Sequence, residues 1–203
     1  IMSANEFSVM VEKHGREHIS SDIIIDRTIG WFTYKIPIIL KVCDDIMKNI
    51  VNTKEKMLSI PDEGIGYGLL KYSNQLSDNY GHTDILYNYL GENELYQDNK
   101  IFRETDIQSY SSRIESYDSG SYLTFNILIN HGKVSFDIEY DTGIYNQHDI
   151  QQLCSNIENE LSVIGDLCRD NDSRILTASD FELQGIDIDD FDSLINEILS
   201  DEE

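Results

Sequence analysis

The sequence predicts an α+β protein with a mixed or mainly antiparallel sheet, and three patterns carry that expectation. Tyr122 to Ile129 and Lys133 to Tyr140 alternate apolar and polar residues and are separated only by Asn130, His131 and Gly132, which reads as a β-hairpin. From Asp149 onward Ile150, Leu153, Ile157, Leu161, Ile164 and Leu167 recur at intervals of three and four, the pattern of an amphipathic helix of about five turns. Strand and helix patterns do not alternate regularly along the chain, so the class is α+β.

The remaining elements follow from local pattern. Phe7, Val9 and Val11 alternate with Ser8, Met10 and Glu12, a half-buried strand in which Glu12 shares a face with Ser8 and Met10. Ile36 to Val42 is a β-branched run beside Pro37 and reads as a second strand. Ile46, Ile50, Met57 and Leu58 sit near helical spacing, and Pro61 ends that helix. The glycines at 64, 66 and 68 predict a tight turn after it. Beyond Arg174 there is no Lys or Arg, and ten acids are interleaved with Phe181, Leu183, Ile186, Phe191 and Leu194. Residues 175–203 are therefore expected to dock as short helices with an acidic outer face.

Composition narrows the function classes. Thirty-eight acidic against 15 basic residues in 203 give a formal charge of -23, which repels phosphate backbones and anionic lipid, so no nucleic-acid or membrane partner is expected. A hydrophobic share of 40% with twelve Tyr and seven Phe is too rich for a disordered chain. The chain has room for one domain or for one lobe of a larger catalytic unit. No apolar run has the length of a membrane span, no secretory pattern opens the chain, and Cys43, Cys154 and Cys168 suit reduced thiols, so a cytoplasmic location is expected. Ile1 before Met2 suggests a piece of a longer polypeptide.

Several common chemistries find no support. His14-Gly15-Arg16-Glu17-His18 formally matches the inverted zinc motif HxxEH, but a strand pattern runs up to it and Gly15 occupies what would be a helix interior. His82, His131 and His148 lie in unrelated segments. Gly64-Ile65-Gly66-Tyr67-Gly68 follows acids rather than a strand and lacks the lysine of a phosphate loop. No GxSxG elbow presents a nucleophile.

Four short segments recur in an informative order: Glu12-Lys13-His14-Gly15-Arg16-Glu17; Arg27-Thr28-Ile29-Gly30-Trp31-Phe32-Thr33 with Pro37 after it; Pro61 to Gly68; and Tyr87-Asn88-Tyr89-Leu90-Gly91. Together they resemble the C-terminal half of an epimerization domain of nonribosomal peptide synthetases, in the condensation-domain superfamily, whose patterns are EGHGRE, RTVGWFT with a following YP, PxxGxGYG and FNYLG. Thr177-Ala178-Ser179-Asp180-Phe181 resembles the TPSDF segment that closes such domains, so the likeness covers nearly the whole chain, 1–203. Lys13, Ile36, Tyr87 and Ala178 depart from these patterns without removing a carboxylate, amide or phenol the chemistry would use. Amide-forming condensation domains carry GxFVNT where this chain has Gly30-Trp31-Phe32-Thr33, which favours the epimerization type.

The resemblance implies one lobe of a chloramphenicol-acetyltransferase-like, two-lobe fold, with a mixed sheet covered by helices and a tunnel between the lobes. The implied substrate is an aminoacyl or peptidyl thioester on the phosphopantetheine arm of a peptidyl carrier protein, with no intrinsic cofactor and no metal. Its α-carbon would be inverted from L toward D. Glu12 would be an acid/base group, Asn88 and Tyr89 would orient or stabilise the thioester enolate, and Trp31 and Tyr67 would line the substrate path. Outside the resemblance, Glu12 reads first as a solvated or structural strand glutamate, while Asn88 and Tyr89 read equally as ordinary strand packing with a satisfied tyrosine hydroxyl. The family's HHxxxDG motif, which lies in the N-terminal lobe, is absent from this sequence, so the chain alone is expected to be inactive. Expected partners are that lobe, the carrier protein and adjacent synthetase modules. An amide-forming lobe and a noncatalytic carrier-binding scaffold are the alternatives.

Overall fold

Strand β1, Glu6–Lys13, forms where Val9 and Val11 can be buried on one face while Ser8, Met10 and Glu12 take the other. The computed structural model describes residues 5–16, 24, 25, 27–73, 83–93, 120–170, 177–181, 190, 191 and 193. Strand β2, Tyr34–Lys41, buries Ile36 and Ile38 by the same alternation. Strands β3 (Ile85–Asn93), β4 (Leu123–Asn130) and β5 (Lys133–Tyr140) complete a five-stranded sheet in the order β2-β1-β3-β4-β5. β1 pairs with β3 and β3 with β4 in parallel, whereas β4 and β5 are antiparallel. The sheet is thus mixed, and its parallel centre departs from the mainly antiparallel option. Parallel neighbours are joined by long crossovers that leave no local signal in the sequence.

The hairpin forms as the pattern indicates. Asn130 pairs with Lys133, so the loop is only His131 and Gly132, both at positive φ (50° and 70°), the geometry of a primed two-residue turn.

Helix α1, Ile46–Leu58, starts at Asp45, whose carboxylate accepts from the backbone N–H groups of Met47 and Lys48 at 2.9 and 3.1 Å. The expected glycine turn is not a turn over its whole length. Asp62, Glu63 and Gly64 take left-handed backbone (φ 46°, 55° and 85°) and reverse the chain, after which Ile65–Tyr72 is helix α2 with Gly66 and Gly68 inside it. The reversal is complete before those glycines, which therefore need no positive φ. Each costs a helix about 1 kcal/mol relative to alanine, which is why they read as a break. Helix α3, Gln147–Asp170, covers the amphipathic pattern, about 36 Å at the α-helical rise. Asp149 in its first turn and Arg169 in its last complement the helix dipole. Among the described residues no helix is long and apolar enough to cross a membrane.

Two compact units divide the chain. One holds 8–39 and 65–146, with nearly all of the sheet and α2; the other holds 1–7, 40–64 and 147–203, with α1 and α3. In the second unit, a short 3-10 turn at Ala178–Phe181 docks on α1. Lys54 Nζ lies 2.6 Å from Asp180 Oδ2, the same oxygen accepts from the Thr177 backbone N–H at 2.8 Å, and the Ser179 hydroxyl donates to Glu55. The Phe181 ring meets the buried Phe191 at 5.8 Å between centroids. Asp190, Phe191 and Ser193 are helical, and apart from these and 177–181 the residues of 175–203 lie outside the described residues.

Hydrogen bonds from Lys54 and Thr177 hold the Asp180 carboxyl below the ordinary aspartate range. A depressed folded value means that the contact stabilises above the unfolded pKa and that this stability is lost as pH falls through the folded one. Lys54→Met is expected to raise the Asp180 carboxyl titration in 13C NMR and to move acid unfolding to higher pH. An unchanged titration would remove Lys54 as the cause.

Candidate active site

The first two motif segments are one structural device. β1 ends at Lys13, Gly15 turns at φ 72°, and a Cβ added there would fall 1.8 Å from the Phe32 carbonyl oxygen. Only glycine permits that approach. The guanidinium of the next residue, Arg16, donates to the carbonyls of Ile25, Thr28 and Gly30 at 2.6, 3.0 and 3.4 Å, and its Cζ lies 4.6 Å from the Phe32 ring centroid. The backbone N–H of Arg16 donates to His14 Nδ1 at 2.9 Å, so this imidazole nitrogen closes the turn. Glu17 and His18 lie outside the described residues. Arg16 is thereby the organiser of the loop that carries Trp31, whose indole N–H donates to the Thr33 hydroxyl. Trp31 itself is 87% exposed.

The fourth segment is β3. Val11 lies opposite Tyr87, and Glu12 opposite Asn88. Side chains at paired positions share a face of the sheet, so the register brings Glu12 and Asn88 together on one face. Both are half-buried. Tyr89 is one residue further along and stands on the opposite face with Tyr87. Burial, and then the neighbouring Tyr89, push the Tyr87 phenol above the usual tyrosine range. Immediately beyond, the β3–β4 register shifts between Tyr89 and Glu92, where Gly91 takes φ 90°, a bulge that re-aims the strand after the candidate residues.

Tyr67 lies on α2, half-buried, with Lys71 Nζ 5.8 Å from its ring centroid. Among the described residues no hydrogen bond or ring contact joins Trp31 or Tyr67 to Glu12 or Asn88. Of the five sequence candidates, the register therefore unites two.

Two residues absent from the sequence candidates adjoin that pair. Asn88 Nδ2 donates to Asn126 Oδ1 at 3.1 Å, and Asn126 Nδ2 donates to Glu139 Oε1 at 3.3 Å. The alternation of the hairpin already put Thr124 and Asn126 on one face of β4, and Asp137 and Glu139 on one face of β5. Which strand they border was not encoded in that alternation. Chemically, the face presents a carboxylate, a group able to take or give a proton, and an amide opposite it in register.

The condensation-domain family model matches residues 1–186. Over 184 residues the chain is 30% identical to bacitracin synthase 1 of Bacillus licheniformis, covering 89% of this chain and 4% of that one. It is 30% identical over 206 residues to gramicidin S synthase 1 of Brevibacillus brevis, covering 93% of this chain and 18% of that protein. The crystal structure of the epimerization domain from the third module of tyrocidine synthetase B superposes with a TM-score of 0.73 at 26% identity, over 83% of this chain and 39% of the other. The chain thus spans a small part of the curated relatives it matches, and shares the mixed-sheet α+β fold of that epimerization domain. On the match to residues 1–186 and the likeness to these synthases, the chain belongs to the condensation-domain family.

Proposed function

We propose that this chain is one lobe of an epimerization-type domain that inverts the α-carbon of a carrier-bound aminoacyl or peptidyl thioester. The observation that supports the reading is the register of Glu12 opposite Asn88 on one sheet face, in a chain whose four motif segments resemble those of epimerization domains. In the reaction, one group takes the α-proton, the electron pair delocalises into the thioester carbonyl as an enolate, and a second group returns a proton to the opposite face. Glu12 supplies one of these groups. The other comes from the N-terminal lobe that carries HHxxxDG, which is why the 203-residue chain alone is expected to be inactive. The substrate arrives on the phosphopantetheine arm of a carrier protein from an adjacent module, and the chain itself contributes acid/base and positioning groups only.

The test is α-proton exchange in D2O, with this chain joined to its N-terminal lobe and supplied with an L-aminoacyl carrier protein. Deuterium incorporation with D-product, absent from the isolated chain, is the expected result. The family as a whole is named for condensation, so the second reading is amide-bond formation. A dipeptide in place of deuterium would replace the first reading with the second. Carrier binding with neither product would leave a scaffold.

A further inference from the structure

The pair Glu12 and Asn88 belongs to a longer row. Asn88 lies opposite Asn126, and Asn126 opposite Asp137, so polar side chains cross four strands on a single face. Glu139, paired with Thr124, is the diagonal neighbour of Asn126 on that face. An asparagine amide can be turned end for end, but an ionised carboxylate only accepts hydrogen bonds. Glu139 therefore fixes the Asn126 NH2 toward itself, at 3.3 Å. This turns the Asn126 carbonyl to β3, where it accepts from the Asn88 NH2 at 3.1 Å. The Asn88 amide is fixed in its turn, and the end directed away from β4 is its carbonyl. That oxygen makes no hydrogen bond among the described residues, and neither does the Glu12 carboxylate.

We infer that Asn126 and Glu139 are positioning residues that set the polarity of Asn88, so that Asn88 meets the substrate as an acceptor, for an N–H of the aminoacyl or peptidyl group, and not as a donor to its carbonyl. The choice of substrate rests on the thioester reading above; the polarity rests only on the three side chains. Accepting from that N–H orients the α-carbon relative to Glu12 without opposing the negative charge that develops on the thioester oxygen elsewhere in the substrate.

The experiment uses the complete domain with its loaded carrier. Glu139→Gln removes the fixed sense of the relay, because a glutamine end can donate or accept. It is expected to lower kcat for α-proton exchange about 10-fold with KM changed less than about 2-fold. Asn126→Asp sets a carboxylate against Glu139 and is expected to lose more. The double variant Asn126→Asp with Glu139→Gln moves the charge one residue along: Asp accepts from both Asn88 and the new glutamine, and kcat is expected to return to within about 3-fold of the parent. In an Asn88→Ala background none of these changes should lower kcat further. A double variant no better than its poorer single, or an undiminished effect of Glu139→Gln without Asn88, overturns the inference. Hydrogen-exchange protection of the Asn88 side-chain NH2, read by 15N NMR, should be lost in Glu139→Gln and regained in the double. If the parent domain exchanges no α-protons, the epimerase reading fails, and this NMR pattern alone decides the relay: its presence supports it and its absence overturns it.

Discussion

Glu12→Gln in the complete domain should lower α-proton exchange on the loaded carrier by about 10²- to 10⁴-fold, the range a positioned acid/base group contributes. Glutamine keeps the shape and a polar end but neither takes nor gives the proton. The substitution is expected to leave folding nearly intact, within about 0.5 kcal/mol, because the buried side of β1 is made by Val9 and Val11 and not by Glu12. Glu6→Gln on the same strand, where Glu6 is an exposed partner of Lys41 at 3.4 Å, is the control and should change nothing in turnover. Deuterium incorporation by mass spectrometry, beside a thermal melt, checks both halves. Undiminished exchange in Glu12→Gln would remove Glu12 from the chemistry.

Gly15→Ala should be the most damaging small substitution to the fold near the site, at about 2–4 kcal/mol. Two independent costs combine. Alanine at φ 72° is in the left-handed region, about 1–2 kcal/mol unfavourable, and its Cβ would sit 1.8 Å from a backbone oxygen of Phe32, a clash no side-chain rotation relieves. The chain must move apart at the place where Arg16 gathers three carbonyls. Urea unfolding gives the stability change. Trp31, the single tryptophan, reports the loop itself, so its fluorescence anisotropy should fall as the loop loosens. Arg16→Lys should act in the same direction with a smaller effect, since an ammonium cannot serve three carbonyls and stack on Phe32 at once. A Gly15→Ala variant as stable as the parent would mean that the Gly15–Phe32 approach does not constrain the fold.

Much of the architecture could be read from periodicity alone. β1, β2, the hairpin, α1 and α3 each occur where the apolar spacing put them, because each buries one face and repeats it at the period of its own backbone. α2 is the instructive exception. Gly66 and Gly68 oppose a helix locally, yet Ile65–Tyr72 is helical because the reversal is completed upstream by Asp62, Glu63 and Gly64. Two acidic residues with positive φ share with Gly64 the turn that the glycine spacing predicted for all of 64–68. Propensity is a weak local preference, and the surrounding structure overrode it.

The candidate site divides in the same way. The sequence by itself determined the chemical inventory: a strand glutamate at 12, an Asn-Tyr pair at 88 and 89, a Gly15-Arg16 turn and an aromatic loop, in an order that identifies the family. Only the tertiary structure decided which of these lie together on one face. The parallel pairing of β1 with β3 puts Asn88, and not Tyr89, on the face of Glu12, since a shift of one residue exchanges the two faces of a strand. The pairing of β3 with β4 then brings Asn126 and Glu139 into the same polar row. Side-chain identity is a local property and is written in the sequence, whereas register between strands far apart in the chain is set by the packing of the whole sheet.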